Sequence, residues 1–168
     1  RRLDDSIIHA TVVKQDTPSE DKSSIYHIFE RINTGGRQLT AQEIRACIFH
    51  GALVDLLDSL NGNEAWRGVY GDVSPRLRDR ELILRFLALR FAADQYARPM
   101  KEFLNTFMGK HRKLATVRAE TLRQAFEGAV EVLAIIGNQA LRPGRSLNAA
   151  VLDSVMVGIS RRLERGPI

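Results

Sequence analysis

Cysteine is nearly absent from this chain: Cys47 stands alone. An internal disulfide and a cysteine-based metal centre are therefore excluded, and the composition points to a reducing, cytoplasmic setting. Histidine is sparse as well. His9, His27, His50 and His111 are scattered without metal-ligand spacing, so no metal site is expected from them. No window is apolar enough to span a bilayer, and the opening RRLDD lacks the apolar run of a signal peptide. The chain also lacks an initiator methionine, which suggests a piece of a longer protein. No repeat, low-complexity tract or internal linker interrupts it.

What remains is ordinary for one soluble domain: 168 residues, 44% hydrophobic and 27% charged. Lysine and arginine outnumber aspartate and glutamate by 25 to 20, which gives a net charge of +5 and a pI near 9.8. That bias favours anionic partners such as nucleic acid or nucleotide.

Residues 6 to 13, SIIHATVV, are β-branched without helical period and predict one strand, followed by a polar connection to residue 22. A lone strand needs sheet partners from elsewhere, and sequence before Arg1 is the economical source. From Ser23 or Ser24, Ile25, Ile28, Phe29 and Ile32 share one helix face that ends at Asn33. Thr40 and Glu43 form a capping box that opens a second helix, with Ile44, Ile48, Leu53, Leu56, Leu57 and Leu60 on its buried side. A short turn around Glu64 to Tyr70 carries the single tryptophan, Trp66, read as a core plug. Further helices are expected from Asp79 to before Arg98-Pro99, from Met100 to about His111, over 117 to 136, and from Ser146 toward Leu163. The expected fold is mostly α: a single domain with about six helices over 23–168, preceded by a strand remnant in 1–22.

The segment YHIFERINTGGRQLTAQEIR holds the chemistry. Two helix termini meet at NTGGRQL, where Gly35 and Gly36 leave backbone N–H groups open to an anion and the positive end of the second helix faces the same space. Arg31, Arg37 and Arg45 add charge, and Asn33 supplies either an oxygen to a hard cation or a donor to phosphate. From spacing alone a glycine turn followed by a capping box is the simpler reading. A second basic row, Arg76, Arg78, Arg80, Arg85 and Arg90, suits DNA backbone contact, with Arg78 and Arg85 as its candidates. Ion pairs with the interleaved Asp79, Glu81 and Asp94 explain that row equally well. Cys47 reads as a buried small hydrophobe.

FERINTGGRQLTAQEIR resembles the "iFerlNtGG..L...EiR" signature of a bacterial family that includes GmrSD-type modification-dependent restriction enzymes and phosphorothioate-sensing SspE-type anti-phage proteins. RDRELILRFLAL, YARPMKEFLNTFM and LNAAVLDSVMVGI resemble the family's later helical segments in the same order, so the likeness covers nearly the whole chain. It implies that a ParB/sulfiredoxin-like nucleotide-binding fold precedes these helices and that an HNH-type nuclease domain follows in many members. A more distant similarity to the nucleotide box of ParB partition proteins places Asn33, Leu39 and Glu43 on its Asn, Leu and Glu. In ParB the acidic residue directly precedes the Asn, whereas here Arg31 and Ile32 stand between Glu30 and Asn33. The family's Asp-Gly-Gln-Gln-Arg motif is not in this chain and would lie before Arg1.

The resemblance thus implies part of a sensor module that binds or hydrolyses a nucleoside triphosphate with Mg, in a defence protein acting on DNA, alone or as an oligomer. Asn33, Gly35, Gly36, Arg37 and Arg31 would face the phosphates, and Glu30, Thr34 and Glu43 would stand behind them. Within the chain no metal ligand is expected beyond Asn33 toward Mg, and without the missing motif the chain by itself would be inactive. The alternative is a non-catalytic helical scaffold that binds DNA or a partner subunit.

Overall fold

The structure is a computed structural model that describes residues 23–33, 38–137, 141–142 and 147–166. The helix Arg78–Ala92, α5 in chain order, is buried around most of its circumference: Asp79, Ile83, Leu84, Phe86, Leu87, Ala88 and Ala92 are all inside. A helix buried on several faces must be surrounded. Around it stand α2 (Ala41–Ile48), α3 (Ala52–Asn61), α6 (Met100–His111), α7 (Ala119–Ile136) and α8 (Ala149–Leu163). The helix α1 (Ser23–Ile32) packs on α2, and α4 (Glu64–Tyr70) packs on α7. A 3-10 turn, Ala93–Gln95, follows α5. Among the described residues the fold is all α, and no helix is long and apolar enough to cross a membrane.

Trp66 plugs the core as expected, fully buried on α4 where that helix meets α7. Its ring meets Phe126 edge-on at 5.8 Å, and Phe126 meets Phe86 at 6.0 Å. Aromatic pairs in this geometry add about 0.5–1.5 kcal/mol each beyond their burial. The indole N–H also needs a partner inside the core, and it donates to Asn61 Oδ1 at 3.1 Å.

Asn61 belongs to a buried polar knot around Asp79, whose side chain is fully enclosed. Asp79 Oδ2 accepts from the Asn61 amide (3.0 Å), Arg67 Nη1 (3.1 Å) and the Ser74 N–H (3.0 Å), while Oδ1 accepts from the Arg80 N–H (2.9 Å). Burial alone would raise the Asp79 carboxyl. The Ser74, Asn61 and Arg80 donors and the Arg67 charge outweigh it and hold the group below the usual carboxylate value.

Several expectations change. The second predicted helix is two helices, α2 and α3, broken at Phe49–Gly51. The break is imposed from the end of α6: Arg112 Nε donates to His50 O (2.6 Å), and the Leu53 N–H donates to Arg112 O (3.2 Å). Glu64–Tyr70 is a helix capped by Asn63 and not a turn. The described residues therefore form eight α-helices where about six were expected. On α1 the buried residue is Tyr26, whereas Phe29 and Ile32 of the predicted apolar face are 42% and 64% exposed. Cys47 is exposed, because α2 turns Gln42, Ile44, Arg45 and Ile48 inward and leaves position 47 outside. The last helix starts at Ala149, where the Asn148 carboxamide oxygen accepts from the Ala150 and Val151 N–H groups. The predicted strand over 6–13 and Ser146 lie outside the described residues.

Two predictions follow from this packing. A carboxyl depressed in the folded state contributes stability above its unfolded pKa of about 3.9 and loses it as pH falls through the lower folded value. The stability advantage of the native protein over Asp79→Asn should thus be largest near neutral pH and shrink below about pH 4, as read by guanidinium unfolding across that range. A difference independent of pH would show that the carboxylate charge is not what the knot uses. At Gly51 an added Cβ would stand 2.9 Å from the Arg112 carbonyl oxygen. Gly51→Ala should cost roughly 1–3 kcal/mol, as for other overpacked positions, and unchanged thermal unfolding would refute the close approach.

Candidate functional site

Helix α1 ends where the Asn33 N–H donates to Phe29 O at 3.0 Å. The Asn33 side chain then closes a ring on Leu39: its Nδ2 donates to Leu39 O (3.0 Å), and its Oδ1 accepts from the Leu39 N–H (2.9 Å). A side-chain amide paired with both polar groups of one residue fixes where the chain re-enters after the turn. Thr34, Gly35, Gly36 and Arg37 lie between these anchors and outside the described residues.

The predicted capping box of α2 is present. Thr40 Oγ1 accepts from the Glu43 N–H (3.2 Å), and Glu43 Oε2 accepts from the Thr40 N–H (2.6 Å). The Thr40 hydroxyl donates to Arg76 O at 3.2 Å. Arg76 pairs with Glu43 at 3.1 Å and donates to Gln38 O. The start of α2 is thus sewn to the loop ahead of α5. In sequence Arg76 belongs to the basic row near α5, and nothing in the spacing of residues 36 apart places it beside Thr40.

The remaining candidates divide. Arg31 is exposed at the last turn of α1, where a cation suits the helix end. Glu30 turns toward α6, with both carboxylate oxygens 3.1 Å from Lys101 Nζ, and His27 stands 3.8 Å away. Arg45 does not flank the turn. It is 1% exposed, and its Nη2 lies 2.6 Å from Glu81 Oε2. It shares the inward face of α2 with Gln42, Ile44 and Ile48, and that face carries it into the core. Arg85 is likewise unavailable to DNA, because its guanidinium is spent on Asp153 of α8. Arg78 is exposed.

This geometry sets the chemistry. Glu43 already places a carboxylate in the first turn of α2 and takes the Thr40 N–H, so that helix end is partly neutralised before any ligand arrives. Asn33 keeps one amide hydrogen and one oxygen lone pair after its bonds to Leu39. That suffices for one contact to a phosphate oxygen, with Arg31 as a nearby cation. For Mg the fit is poorer: among the described residues no cluster of His, Cys, Asp or Glu could hold a metal ion, and Asn33 Oδ1 is already shared. Compared with known proteins, the chain matches no family model, no curated protein and no solved structure.

The ring on Leu39 gives Asn33 a structural duty as well. Asn33→Ala should lower the unfolding free energy by about 1 kcal/mol, the usual worth of exchanging such bonds for water, and should speed amide exchange at Leu39. An unaltered Leu39 exchange rate would mean that the ring does not hold the turn.

Proposed function

We propose that the chain is the helical part of a nucleotide-binding sensor module, similar to that of GmrSD-like restriction and anti-phage proteins, which couples nucleoside triphosphate binding or hydrolysis to action on DNA. One observation carries most of this reading. The segment that resembles the family signature has two helix ends clamped across the glycine turn by the Asn33 ring on Leu39, with Arg31 exposed beside it. A bound triphosphate would bring the group that is cleaved, and any Mg with it would have to be held by the other half of the site. The part assigned to this chain is binding: an amide N–H of Asn33, the backbone of Gly35 and Gly36, and the cations Arg37 and Arg31 would hold phosphate oxygens, while Thr34 and Glu43 would shape the turn and Glu30, drawn to Lys101, would stand outside it. The other half of the nucleotide site would come from the sequence that the family places before this segment, and an HNH-type domain would supply any DNA cleavage.

A second reading has its own support. Asn33 and Glu43 are both satisfied within the protein, and Arg85 is paired internally. A helical scaffold that docks DNA or a partner subunit needs no more than that.

Binding of Mg–nucleoside triphosphate in the longer protein that the first reading requires separates the two. Asn33→Ala should weaken affinity about tenfold or more, the size of one lost charge-assisted contact, and Arg37→Gln should act in the same direction. If affinity is unchanged while stability falls by the amount expected for the Leu39 ring, the turn is structural and the scaffold reading stands.

A further inference from the structure

Five arginines border α5, and the structure sorts them. Arg76 pairs with Glu43 (3.1 Å), Arg80 with Asp58 (2.6 Å), Arg85 with Asp153 and Arg90 with Glu164. Arg78 is exposed and has no carboxylate partner among the described residues. Its acidic neighbours in sequence are turned elsewhere: Asp79 is enclosed by Asn61, Arg67 and Ser74, and Glu81 pairs with Arg45.

Arg78 lines a cleft of about 370 Å³ with Tyr70, Leu82, Arg142 and Leu147. Arg142 is held there by the main chain, its Nη2 donating to Val69 O (3.1 Å) and Tyr70 O (2.8 Å) at the end of α4. Its orientation is therefore fixed by carbonyl groups, which leave its full charge unneutralised. Among the described residues no acidic side chain lines the cleft. Its described lining, two guanidiniums, a phenol and two leucines, is cationic on one part and apolar on the rest. Guanidinium groups match phosphate oxygens in charge and in fork geometry. The volume lies at the lower end of the roughly 300–1,000 Å³ typical of small-ligand pockets.

We propose that this cleft binds a phosphate ester, with Arg78 and Arg142 on the phosphate oxygens and Tyr70, Leu82 and Leu147 against the body of the ligand. The site is distinct from the α1–α2 turn and does not rest on the nucleotide reading of that turn. The ester is either a free mononucleotide or a phosphate of a nucleic-acid strand, and two probes tell these apart.

Arginine side-chain NMR signals are followed during titration with dAMP and, separately, with a single-stranded deoxyoligonucleotide at fixed low salt. Saturable shifts at Arg78 and Arg142 are expected. Arg78→Gln should weaken binding about tenfold or more with unchanged thermal unfolding, since Arg78 is exposed. Arg142→Lys should weaken it too while keeping a cation near the α4 carbonyls. If that variant does not fold, Arg78→Gln decides alone. Arg161→Gln, at an exposed position of α8, should bind like the native protein. Equal affinity for both probes assigns a free phosphate ester. Tighter oligonucleotide binding with a steeper salt dependence assigns a strand, because each neutralised phosphate releases counterions. Absence of saturation with both probes overturns the proposal, as does native affinity in Arg78→Gln, or an equal loss in Arg161→Gln, which would indicate diffuse attraction to the whole surface.

Discussion

The guanidinium of Arg45 is buried to 1% exposure, and the placement of the first two helices depends on it. Taking a cation out of water costs several kcal/mol, and only a well-made set of acceptors offsets that. The acceptors come from three helices. Gln42 on α2 receives from Nε (2.9 Å), Glu81 on α5 from Nη2 (2.6 Å) and Asn105 on α6 from Nη1 (3.5 Å). Burial pulls the Arg45 pKa down, and the Glu81 charge opposes it. Because a guanidinium fork tolerates little misplacement, α2 can sit against α5 and α6 in few ways. Tyr26, fully buried on α1, lies in the field of the same cation, with no hydrogen-bond partner for its hydroxyl among the described residues and its pKa raised mainly by burial. The fully buried ring does most to fasten α1, with Ile25 packed against the core only partly buried and Ile32 exposed. The end of α1 and the start of α2 inherit their positions from these two side chains.

The arginines near α5 show how one composition serves two purposes. Read along the chain they form a basic row fit for a phosphate backbone. In the fold, Arg85 and Arg90 cross to Asp153, Ser160 and Glu164 and fasten α5 to α8. Asp153 is almost fully buried and Arg85 partly so, and Asp153 holds the Arg85 charge firmly enough to raise its pKa against burial. These pairs order the helices relative to one another. Their net contribution to stability is small beside the apolar burial around Leu84, Phe86 and Leu87, where each side chain contributes about 1.5–3 kcal/mol. The net charge of the chain therefore overstates the cationic surface open to a partner.

How much of this was legible follows from the range of each signal. The long periodic helices α6 and α7, the Thr40–Glu43 box and the Trp66 plug could be read because period, cap and size act within a few residues of themselves. The break between α2 and α3 could not, since it depends on Arg112 arriving from another helix. The same holds for the inward Arg45. Its side chain shares a helix face with Ile48, yet an arginine on an apolar face is ordinarily read as surface charge, and Glu81 and Asn105 are distant in sequence. The candidate turn was visible as a motif, but the ring from Asn33 to Leu39 was not, because an asparagine before two glycines has many uses and only coordinates choose among them.

Ser74 to Arg78 is where the two candidate phosphate sites meet. The Ser74 N–H donates to buried Asp79, and Ser74 Oγ accepts from the N–H groups of Arg76 and Arg78, each at 3.3 Å. Leu77 is held in the left-handed region at φ 55, a conformation that costs a non-glycine residue about 1–2 kcal/mol. The hydrogen bonds around Ser74 and Asp79 sustain that strain. The reversal at Leu77 separates two arginines that are neighbours in sequence: Arg76 goes to Gln38 and Glu43 at the α1–α2 turn, and Arg78 goes to the cleft beside Tyr70. A straight helix through these residues would put both cations on one helix and leave the turn without its tie. The buried carboxylate of Asp79 thus directs one cation to a structural task and frees the other for a ligand.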